Sequence, residues 1–347
     1  MNADIGMDDK AVDAAALFDP RSEPAALPAA VPDALLASFA RGGRFAFLSA
    51  ADGTRLRYAH WRTIAGPSKG RVVVLGGRGE FVEKYATEIV GELLGRGFDV
   101  FSMDWRGQGL SQRALPDPEK GHVEDFALYR EDLHRFLTIV VGARGGESAA
   151  ENPVLLLAHS MGGLATLRLL AEHAPEKLAS AALICAPMTG LKHALAIRAA
   201  LLLAPHGSRR EKDYALGAGP FSEGRRSFAE NRVTHDGRRY RFTDQWFAAE
   251  PRLRLGGPTY EWLRAGMAGV ETVMQPGFLA RIDVPVLLLS ARLDALVEPA
   301  SHDTVAKLSP RVTIKHYDDS KHEIMMETDA IRARFWTDFD RFVAKLD

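Results

Sequence analysis

The residues best suited to chemistry lie in the stretch 154–166, which reads VLLLAHSMGGLAT. An apolar run of strand length meets a turn of small residues, and a helical pattern begins at Met161. Ser160 lies at this junction, inside Ala-His-Ser-Met-Gly, which matches the nucleophile-elbow pattern G-x-S-x-G with one alanine for glycine. The pattern predicts a sharp strand-to-helix turn that presents the Ser160 hydroxyl, although a serine here is also a common helix N-cap.

A serine hydroxyl is a weak nucleophile at neutral pH, so it requires a histidine base and a carboxylate that orients that histidine. Such residues follow two later apolar runs, VPVLLLS and TIKHY: Asp294 comes four residues after the first and His322 five residues after the second. The order Ser160, Asp294, His322 is that of serine hydrolases built on parallel sheets. We therefore predict a catalytic triad, with Asp318 and Asp319 as the next acids to test.

Other histidines and acids are less suitable as triad partners because of their positions. His316 falls inside the second apolar run and Asp283 precedes the first, so neither is expected at the catalytic edge of a sheet. His302 and Asp303 lie at a predicted helix start, where aspartate is a common cap. His159 belongs to the elbow itself and is not expected to fold back and act as its base.

Sequence patterns for other chemistry are missing. There is no His-Glu-x-x-His motif and no group of cysteine and histidine ligands, so we predict no metal site. The glycines around Gly76 and Gly107 match neither the dinucleotide-binding nor the P-loop spacing, so we predict no cofactor. Cys185 ends the apolar run AALIC and is predicted to be a buried strand thiol.

Strand and helix patterns alternate around these residues and indicate how they are positioned. We predict strands over 44–49, 55–61, 71–75, 100–103, 154–157, 181–185, 284–290 and 313–317. We predict helices over 81–96, 123–141, the segment after the elbow, and 329–346. This alternation predicts an α/β fold with a mostly parallel central sheet and helices on both faces.

The alternation stops at Pro187 and resumes after residue 276. No buried strand pattern is visible between these points, although 191–204 and 260–274 have helical patterns. An insertion between strands generally lies over their carboxyl ends, where ligands bind. We therefore predict a mainly helical cap, or lid, inserted after the strand that ends near Cys185.

The predicted domain organisation follows from these boundaries. It consists of a mobile N-terminal arm over 1–40, an α/β core over 41–186 and 277–347, and the inserted cap over 187–276. The arm is rich in Ala, Pro and Asp, and we assign it no chemical role.

The composition limits the class of protein. The chain has 347 residues, of which 46% are hydrophobic, enough for one large domain with an insertion. A formal net charge of −1 lacks the basic excess of nucleic-acid-binding proteins, so we predict no nucleic-acid partner. A single cysteine excludes a disulfide framework, and the acidic start MNADIGMDDKAVD is unlike a secretory signal peptide. We therefore predict a cytoplasmic protein.

Several segments together resemble the lysophospholipase L2 branch of the α/β-hydrolases, which is close to the monoacylglycerol lipases. They are GGRGEFVEKY at 76–85, DWRGQGLS at 104–111, KGHV at 120–123, the elbow, and APM at 186–188. The resemblance covers 44–346. The monoacylglycerol lipases commonly carry His-Gly where this chain has Gly76 and Gly77, and glycine where it has Ala158. Because oxyanion donors are backbone groups, neither change should abolish catalysis.

The resemblance also implies roles for individual residues. It makes Ser160, Asp294 and His322 the triad, and it assigns the oxyanion hole to the backbone N–H groups of Arg78 and Met161. The side chain of Arg78 is expected to be an ordinary surface arginine. The neighbouring loop acids, Glu80 and Asp104, are expected to satisfy backbone N–H groups without a catalytic role.

The predicted activity is hydrolysis of the carboxylic ester of monoacyl lipids, either lysophospholipids or monoacylglycerols. Ser160 attacks the ester, His322 transfers the proton to the leaving alcohol, and water hydrolyses the acyl-enzyme. Other carboxylesterases and acyltransferases of this fold remain open, since the fold alone does not separate them. Related peptidases are a further alternative, but they need an acidic anchor for the substrate amine and the insertion is basic.

Residues 187–276 contain 14 Lys and Arg against 9 Asp and Glu, a balance of +5 in a chain of −1. This excess is compatible with a solvated face, or with peripheral contact to anionic head groups at the inner membrane face. The cations concerned are Arg209, Arg210, Lys212, Arg225 and Arg226. The apolar residues of the same insertion, which line an acyl channel above Ser160 or form ordinary cap core, are Leu195, Leu201, Leu202 and Leu203.

Overall fold

The chain is built around one eight-stranded sheet. A computed structural model describes residues 39–40, 42–142, 152–222 and 227–346. The strands are β1 (Arg44–Ser49), β2 (Arg55–Trp61), β3 (Arg71–Leu75), β4 (Asp99–Met103), β5 (Val154–His159), β6 (Ala181–Cys185), β7 (Val286–Ala291) and β8 (Val312–Tyr317). They are arranged in the order β1-β2-β4-β3-β5-β6-β7-β8; β2 runs antiparallel to β1 and β4, and all other neighbouring strands are parallel. The expected mostly parallel sheet is confirmed.

Nine α-helices accompany the sheet within the described residues. They are α1 (Val82–Ala86), α2 (Ile89–Gly95), α3 (Ala127–Arg135), α4 (Ser160–Glu172), α5 (Ala194–Leu201), α6 (Gly237–Ala249), α7 (Tyr260–Val273), α8 (Pro299–Leu308) and α9 (Asp329–Val343). A π-helical turn, Phe136–Val141, continues α3. Short 3₁₀ segments occur at Ala174–Glu176, Arg209–Lys212, Phe228–Glu230, Pro251–Leu253, Leu279–Arg281 and Ile324–Met326.

The single helix expected over 81–96 is wrong, because α1 and α2 are separated by Thr87 and Glu88. The indole N–H of Trp246 donates to the Thr87 hydroxyl at 3.1 Å, from a helix far along the chain. The Glu88 carboxylate accepts from Arg239 at 2.6 Å and from Arg332 at 2.5 Å. These partners, which are distant in sequence, bind the side chains at the break. The local pattern of 81–96 could therefore not predict them.

Two hydrophobic clusters cover the two faces of the sheet. One cluster contains residues of α3, α4, α7 and α8, and the other contains residues of α1, α2, α6 and α9. Along β5, Leu156 and Ala158 face the first cluster whereas Leu155 and Leu157 face the second. Because both faces are covered, β5 reads as a continuous apolar run without alternation. The α/β fold class is therefore confirmed.

The segment 187–276, between β6 and β7, is here called the insertion. Its described residues contain α5, α6 and α7 and add no strand to the sheet. On α6, Trp246 packs against Phe39 with ring centroids 5.5 Å apart. On α7, Gly266 and Gly269 allow close approach to the Phe126 ring. The division of the chain into core and cap stays a prediction.

The predicted N-terminal arm lies almost entirely outside the described residues. Its last members, Phe39 and Ala40, are buried against the core. The Trp61 indole N–H donates to the Ala40 carbonyl at 2.9 Å. In the described part of the chain, no helix has the length and apolar character needed to cross a membrane.

Candidate active site

The elbow forms where β5 ends at His159 and α4 begins at Ser160. Ser160 has φ = 50°, a left-handed conformation that residues other than glycine rarely adopt. A Cβ on Gly162 would lie 2.6 Å from the Gly76 carbonyl oxygen, so the turn requires glycine there. Ala158 is fully buried within β5, and its methyl group is accommodated. The turn presents the Ser160 side chain at the carboxyl edge of the sheet.

The structure brings the three predicted triad residues into one hydrogen-bonded chain. His322 Nε2 lies 3.0 Å from Ser160 Oγ, and His322 Nδ1 lies 2.5 Å from Asp294 Oδ2. Asp294 follows β7 and His322 follows β8, and these strands are parallel neighbours. Both residues therefore reach the edge at which β5 delivers Ser160. All three side chains are buried.

The Asp294 carboxylate is held as an anion by its surroundings. Its Oδ1 accepts from the N–H groups of Leu296 at 2.7 Å and Val297 at 2.9 Å. Burial acts to raise the pKa of Asp294, but the hydrogen bonds from His322 and these N–H groups outweigh it and hold that pKa below the ordinary value. An ionised Asp294 keeps the His322 Nδ1 proton in place, so that Nε2 faces the serine.

The alternative residues have other partners. His302 is buried, with Nδ1 2.9 Å from Ser290 Oγ and Nε2 2.9 Å from the Pro187 carbonyl oxygen. Burial lowers the pKa of His302 to about 4, so its ring is neutral. His316 faces Asp303 at 3.2 Å.

The alternative acids Asp318 and Asp319 are exposed, and Asp319 pairs with Arg334. Neither acid bonds to His322 in the described structure, whereas Asp294 does. The geometry therefore favours Asp294 as the acid that orients the histidine.

The loop after β3 lies against the elbow, and most of its N–H groups next to Arg78 have partners. The N–H of Gly77 donates to Glu80, that of Gly79 to a glutamine side chain, and that of Glu80 back to the Gly77 carbonyl. For the Arg78 N–H, no acceptor is found among the described residues. Met161 is the second residue of α4, where an N–H has no acceptor within the helix. These are the two donors predicted for the oxyanion hole.

A network of buried charges joins the loops that carry the site. Glu80 accepts from Lys84 Nζ at 2.6 Å and Tyr85 Oη at 2.5 Å, and it contacts His159 Nδ1 at 3.0 Å. Lys84 also contacts Glu323, the residue after His322, at 2.8 Å. Burial acts to raise the pKa of Glu80, but Lys84 and His159 hold that pKa well below its ordinary value. Glu80 also accepts from the Gly77 N–H, so the expectation that it satisfies a loop N–H group is confirmed.

His159 is part of this network and is not placed to deprotonate Ser160. Its Nδ1 faces the Glu80 carboxylate, and its Nε2 lies 3.3 Å from the His322 carbonyl oxygen. Because both partners only accept hydrogen bonds, both ring nitrogens donate, which requires the protonated imidazolium. Burial acts to lower the pKa of His159, but the Glu80 carboxylate raises it above its ordinary value. The surroundings of His159 thus favour its protonated form, buried beside Ser160 and His322.

Comparisons with known proteins agree with this architecture. A family model described as "Serine aminopeptidase, S33" matches residues 66–329. The chain is 34% identical over 275 residues to lysophospholipase L2 of Escherichia coli strain K12, covering 76% of each chain. The chain belongs to this α/β-hydrolase family, in its lysophospholipase L2-like group. The resemblance drawn from the motifs is confirmed, and so is the prediction of a serine ester hydrolase.

Two further relatives of this α/β-hydrolase extend the comparison. Probable lysophospholipase L2 of Haemophilus influenzae is 25% identical over 299 residues, which are 86% of this chain and 91% of that protein. A soluble variant of monoglyceride lipase from Saccharomyces cerevisiae, solved with a substrate analog, superposes with a TM-score of 0.69 at 20% identity. That superposition covers 85% of this chain and 93% of the lipase, and it shows a shared fold.

One expectation for the hydrolase is wrong, namely that Arg78 has an ordinary surface side chain. Arg78 is only partly exposed, and its Nη2 donates to the Gly256 carbonyl in the insertion at 2.7 Å. Its guanidinium carbon lies 5.2 Å from the Trp262 ring centroid. Burial lowers the pKa of Arg78 to about 10, which leaves it charged at neutral pH. The sequence pattern predicted the position of its backbone but carried no signal for its side chain.

The second loop motif of the hydrolase, DWRGQGLS, is structural. The Asp104 carboxylate accepts from the N–H groups of Val82 and Leu110, and from Arg57 at 2.7 Å. A Cβ on Gly109 would lie 2.2 Å from the Asp104 carboxyl carbon, so the loop closes around this acid. The expectation that Asp104 satisfies loop N–H groups is confirmed.

Two groups of side chains in the described residues have the chemistry of metal ligands. They are His134, His173 and Glu176, and His122, Glu124 and Glu261. In the first group the Glu176 carboxylate lies 2.6 Å from both imidazoles, which engages all three side chains with one another. Neither group includes a triad residue. The prediction that catalysis needs no metal or cofactor stays a prediction.

The predicted strand thiol of the hydrolase is confirmed. Cys185 is completely buried in β6, and burial raises the pKa of its thiol. A thiol that stays protonated in an apolar core is not a nucleophile.

Proposed function

We propose that this α/β-hydrolase cleaves the carboxylic ester of monoacyl lipids, lysophospholipids or monoacylglycerols, through an acyl-enzyme on Ser160. The observation that carries this proposal is the chain of hydrogen bonds from Asp294 through His322 to Ser160. A serine, a histidine within hydrogen-bond reach and a carboxylate that orients it are the parts needed for nucleophilic ester cleavage. The similarity to lysophospholipase L2 supports the lipid substrate.

Each group has a defined task in the proposed reaction. His322 Nε2 accepts the Ser160 proton as Oγ attacks the carbonyl carbon, and the imidazolium then protonates the departing alcohol. Asp294 stabilises this imidazolium and keeps its orientation. The N–H groups of Arg78 and Met161 stabilise the oxyanion, and one such donor is worth about 3 kcal/mol of barrier.

Water completes the cycle by attacking the acyl-enzyme, with His322 acting again as base. An acyltransferase shares every step up to this point and differs only in the acceptor, which would be an alcohol. A product analysis with added glycerol separates the two, because transfer yields a new ester and hydrolysis yields free acid.

A serine aminopeptidase is the second function to consider, since the matching family model carries that description. Such an enzyme needs an acid to bind the ammonium group of its substrate. In the loop beside the elbow, Glu80 already binds Lys84, Tyr85 and His159. The partly buried Arg78 would repel an ammonium group. The electrostatics of this loop therefore favour esters over peptides with a free amine.

We propose that the insertion is a cap over this site, with 41–186 and 277–347 as the core. Several backbone hydrogen bonds tie it to the loops that carry Ser160, Asp294 and His322, among them the three that follow. The Met188 N–H donates to the Ser160 carbonyl at 3.0 Å, and the Lys192 N–H donates to the Leu296 carbonyl at 3.1 Å. The third runs from the N–H of Glu323, next to His322, to the insertion at 2.8 Å.

Part of this cap is suited to contact with a lipid surface. In and beside α5, Leu195 is 84% exposed and Leu202 is 80% exposed, whereas Leu201 packs in a small cluster. Arg209 and Arg210 are exposed close by in the chain, as is Lys212, while 225–226 lie outside the described residues. Exposed leucines with nearby cations match a surface that inserts among anionic head groups. A cytoplasmic location at the inner membrane face stays a prediction.

The activity is tested with purified protein and a panel of lysophospholipids, monoacylglycerols, p-nitrophenyl esters and aminoacyl anilides. We expect turnover of the monoacyl lipids, and loss of turnover and of fluorophosphonate labelling in Ser160→Ala. The loss in kcat should be about 10⁴-fold or more, with the thermal unfolding temperature retained. Undiminished turnover in Ser160→Ala contradicts the nucleophile, and turnover of anilides alone contradicts the ester specificity.

The lipid-surface contact is tested by salt. Activity on vesicles of anionic lysophospholipid should fall as salt is added, because salt screens exposed charges, whereas hydrolysis of a short soluble ester should not. Replacing Arg209, Arg210 and Lys212 by glutamine should remove the salt dependence on vesicles. The same salt response for both substrates, or an unchanged response in the glutamine variant, removes the membrane role and leaves the cap as an acyl pocket.

A further inference from the structure

The Arg78 guanidinium differs from the arginines that are buried in the described structure in having no carboxylate partner. Arg57, Arg106 and Arg239 are all buried, and each bonds to at least two carboxylates within 2.7 Å. No carboxylate of the described residues lies within 4.0 Å of Arg78. Removing a cation from water without such a partner is costly, so a site that keeps one has a use for the charge.

Backbone carbonyls do not replace the missing carboxylate. Arg113 also lacks a carboxylate, but it donates to five carbonyl oxygens between 2.8 and 3.3 Å. Arg78 has one acceptor in the described structure, the Gly256 carbonyl, and its Nε is buried without a partner. Most of the guanidinium donors of Arg78 therefore have no acceptor among the described residues, and no carboxylate there neutralises its charge.

The surroundings of Arg78 hold the guanidinium in place without compensating its charge. The Trp262 ring lies 5.2 Å from its carbon, and a Cβ on Gly121 would lie 2.1 Å from its Nη2. Two titratable groups that act on its pKa are the phenols of Tyr129 and Tyr214, which are neutral at physiological pH. An aromatic face and a glycine leave room for a flat cation and fix its orientation.

The backbone of Arg78 places its guanidinium charge at a defined distance from the ester that reacts. Its own N–H is a proposed oxyanion donor, so its backbone lies beside the ester carbonyl. In a 1-acyl lysophospholipid, the carbonyl carbon and the phosphorus are separated by as many covalent bonds as the Arg78 backbone nitrogen and the guanidinium carbon. The head group of a substrate whose carbonyl meets this N–H is therefore long enough for its phosphate to extend as far as the guanidinium.

We propose that the Arg78 side chain binds the phosphate of the substrate and makes the enzyme selective for phosphorylated monoacyl lipids over neutral ones. The proposal rests on the proposed function and specifies its substrate class. A guanidinium presents two parallel N–H groups to two phosphate oxygens, which a neutral glycerol head group cannot match. Arg78 thus joins oxyanion stabilisation, through its backbone, to head-group selection, through its side chain.

The test compares two substrates with the same decanoyl chain, a lysophosphatidylethanolamine and a monoacylglycerol, both kept monomeric so that surface charge has no influence. The measured quantity is the ratio of their kcat/KM values. Arg78→Gln should lower this ratio about tenfold to hundredfold, the loss expected for a hydrogen-bonded charge. Arg78→Lys keeps the cation and should restore part of the ratio.

Arg252→Gln is the matched control, since Arg252 is an exposed cation of the insertion that pairs with Glu250. It should leave the ratio as in the wild type. As a second measurement, sn-glycerol 3-phosphate should inhibit cleavage of the monoacylglycerol competitively, with an inhibition constant that rises in Arg78→Gln. This inhibition reports on phosphate binding even where a variant has lost part of its turnover.

The possible results separate the phosphate-binding role of Arg78 from the proposed function of the enzyme. An unchanged ratio in Arg78→Gln, or equal inhibition of wild type and Arg78→Gln, overturns the phosphate-binding role. A ratio that falls equally in Arg78→Gln and Arg78→Lys, together with a lower unfolding temperature, shows that Arg78 only fastens the insertion through Gly256 and also overturns it. Failure of the wild type to cleave either lipid, while it cleaves other esters, overturns the proposed function instead.

Discussion

The strand β5 and the helix α5 have similar compositions and opposite environments. The sequence of β5 is VLLLAH, and every residue is buried. The sequence of α5 is ALAIRAAL, and none of its residues is buried. Apolar character therefore does not decide by itself whether a segment joins the core.

The difference lies in what surrounds each segment. β5 lies between β3 and β6, and helices cover both faces of the sheet. α5 follows the first turn of the insertion and leaves Leu195 in solvent at 84% exposure. A strand in the middle of a covered sheet has no exposed face, whereas a helix at the surface buries only the side that meets a neighbour. The apolar surface of α5 is thus available to a ligand that β5 could never contact.

The largest expected effect is on turnover, at Asp294, the acid proposed to orient His322 beside the end of β5. Asp294→Asn should lower kcat by about 10⁴-fold, because the amide favours the wrong tautomer of His322. The structure and the unfolding temperature near neutral pH should be little changed. Activity equal to that of the wild type contradicts the assignment, and Asp319→Asn serves as the control for loss of an exposed acid.

The pH dependence of stability gives a second measurement at the same residue. Hydrogen bonds hold the pKa of Asp294 below its ordinary value of 3.8. Its contribution to stability is therefore present above pH 3.8 and is lost as the pH falls through the lowered pKa. Denaturant titrations between neutral and acidic pH should show a smaller acid loss in Asp294→Asn than in the wild type. Parallel curves would mean that the carboxylate is not stabilised in the folded state.

An intermediate effect, on the free energy of unfolding, is expected when a leucine is replaced by alanine in β5 and, for comparison, directly after α5. Leu157→Ala removes a fully buried side chain of β5 and should lower the free energy of unfolding by about 2–5 kcal/mol. Leu202→Ala, directly after α5, removes a side chain that is 80% exposed and should change it by less than about 0.5 kcal/mol. Urea titrations measure both. Equal losses would show that the leucines of the insertion are also part of the core.

The smallest expected effect is on the pH dependence of stability, at His159, the last residue of β5. Its pKa is raised by Glu80, so its protonated form stabilises the fold below the ordinary value of 6.5, and this contribution is lost as the pH rises through the raised pKa. The free energy of unfolding of the wild type should therefore decline on the alkaline side, and His159→Gln should lack this decline. His193→Gln, at an exposed histidine before α5, controls for the loss of an imidazole.

The sheet and the meeting of Ser160, Asp294 and His322 could be predicted because their signals are local. The strands are apolar runs or alternating segments, and the elbow is defined by Ser160 and the small residues next to it. Asp294 and His322 follow strands directly, so the rule that parallel strands end at one edge was enough to bring them together. The position of a residue that directly follows its strand can be predicted without knowing which distant residues it contacts.

The features that the sequence did not predict depend on contacts between distant residues. The break at Thr87 involves Trp246, and the partly buried state of Arg78 involves Gly256. α6 was not predicted because its sequence, GRRYRFTDQWFAA, is rich in charge, although Asp236 caps it by accepting from two backbone N–H groups. Such partners become visible only when the chain is folded.

The buried charges around Glu80 have a consequence for how the site opens. Glu80 belongs to the loop after β3, His159 to the elbow, and Glu323 to the loop after β8, and Lys84 bonds to both acids. Moving one loop away would leave a charge in the interior without its partner, which is far costlier than moving all of them together. Amide hydrogen exchange in the three loops should therefore report one shared opening free energy, with the loops behaving as a single cooperative unit.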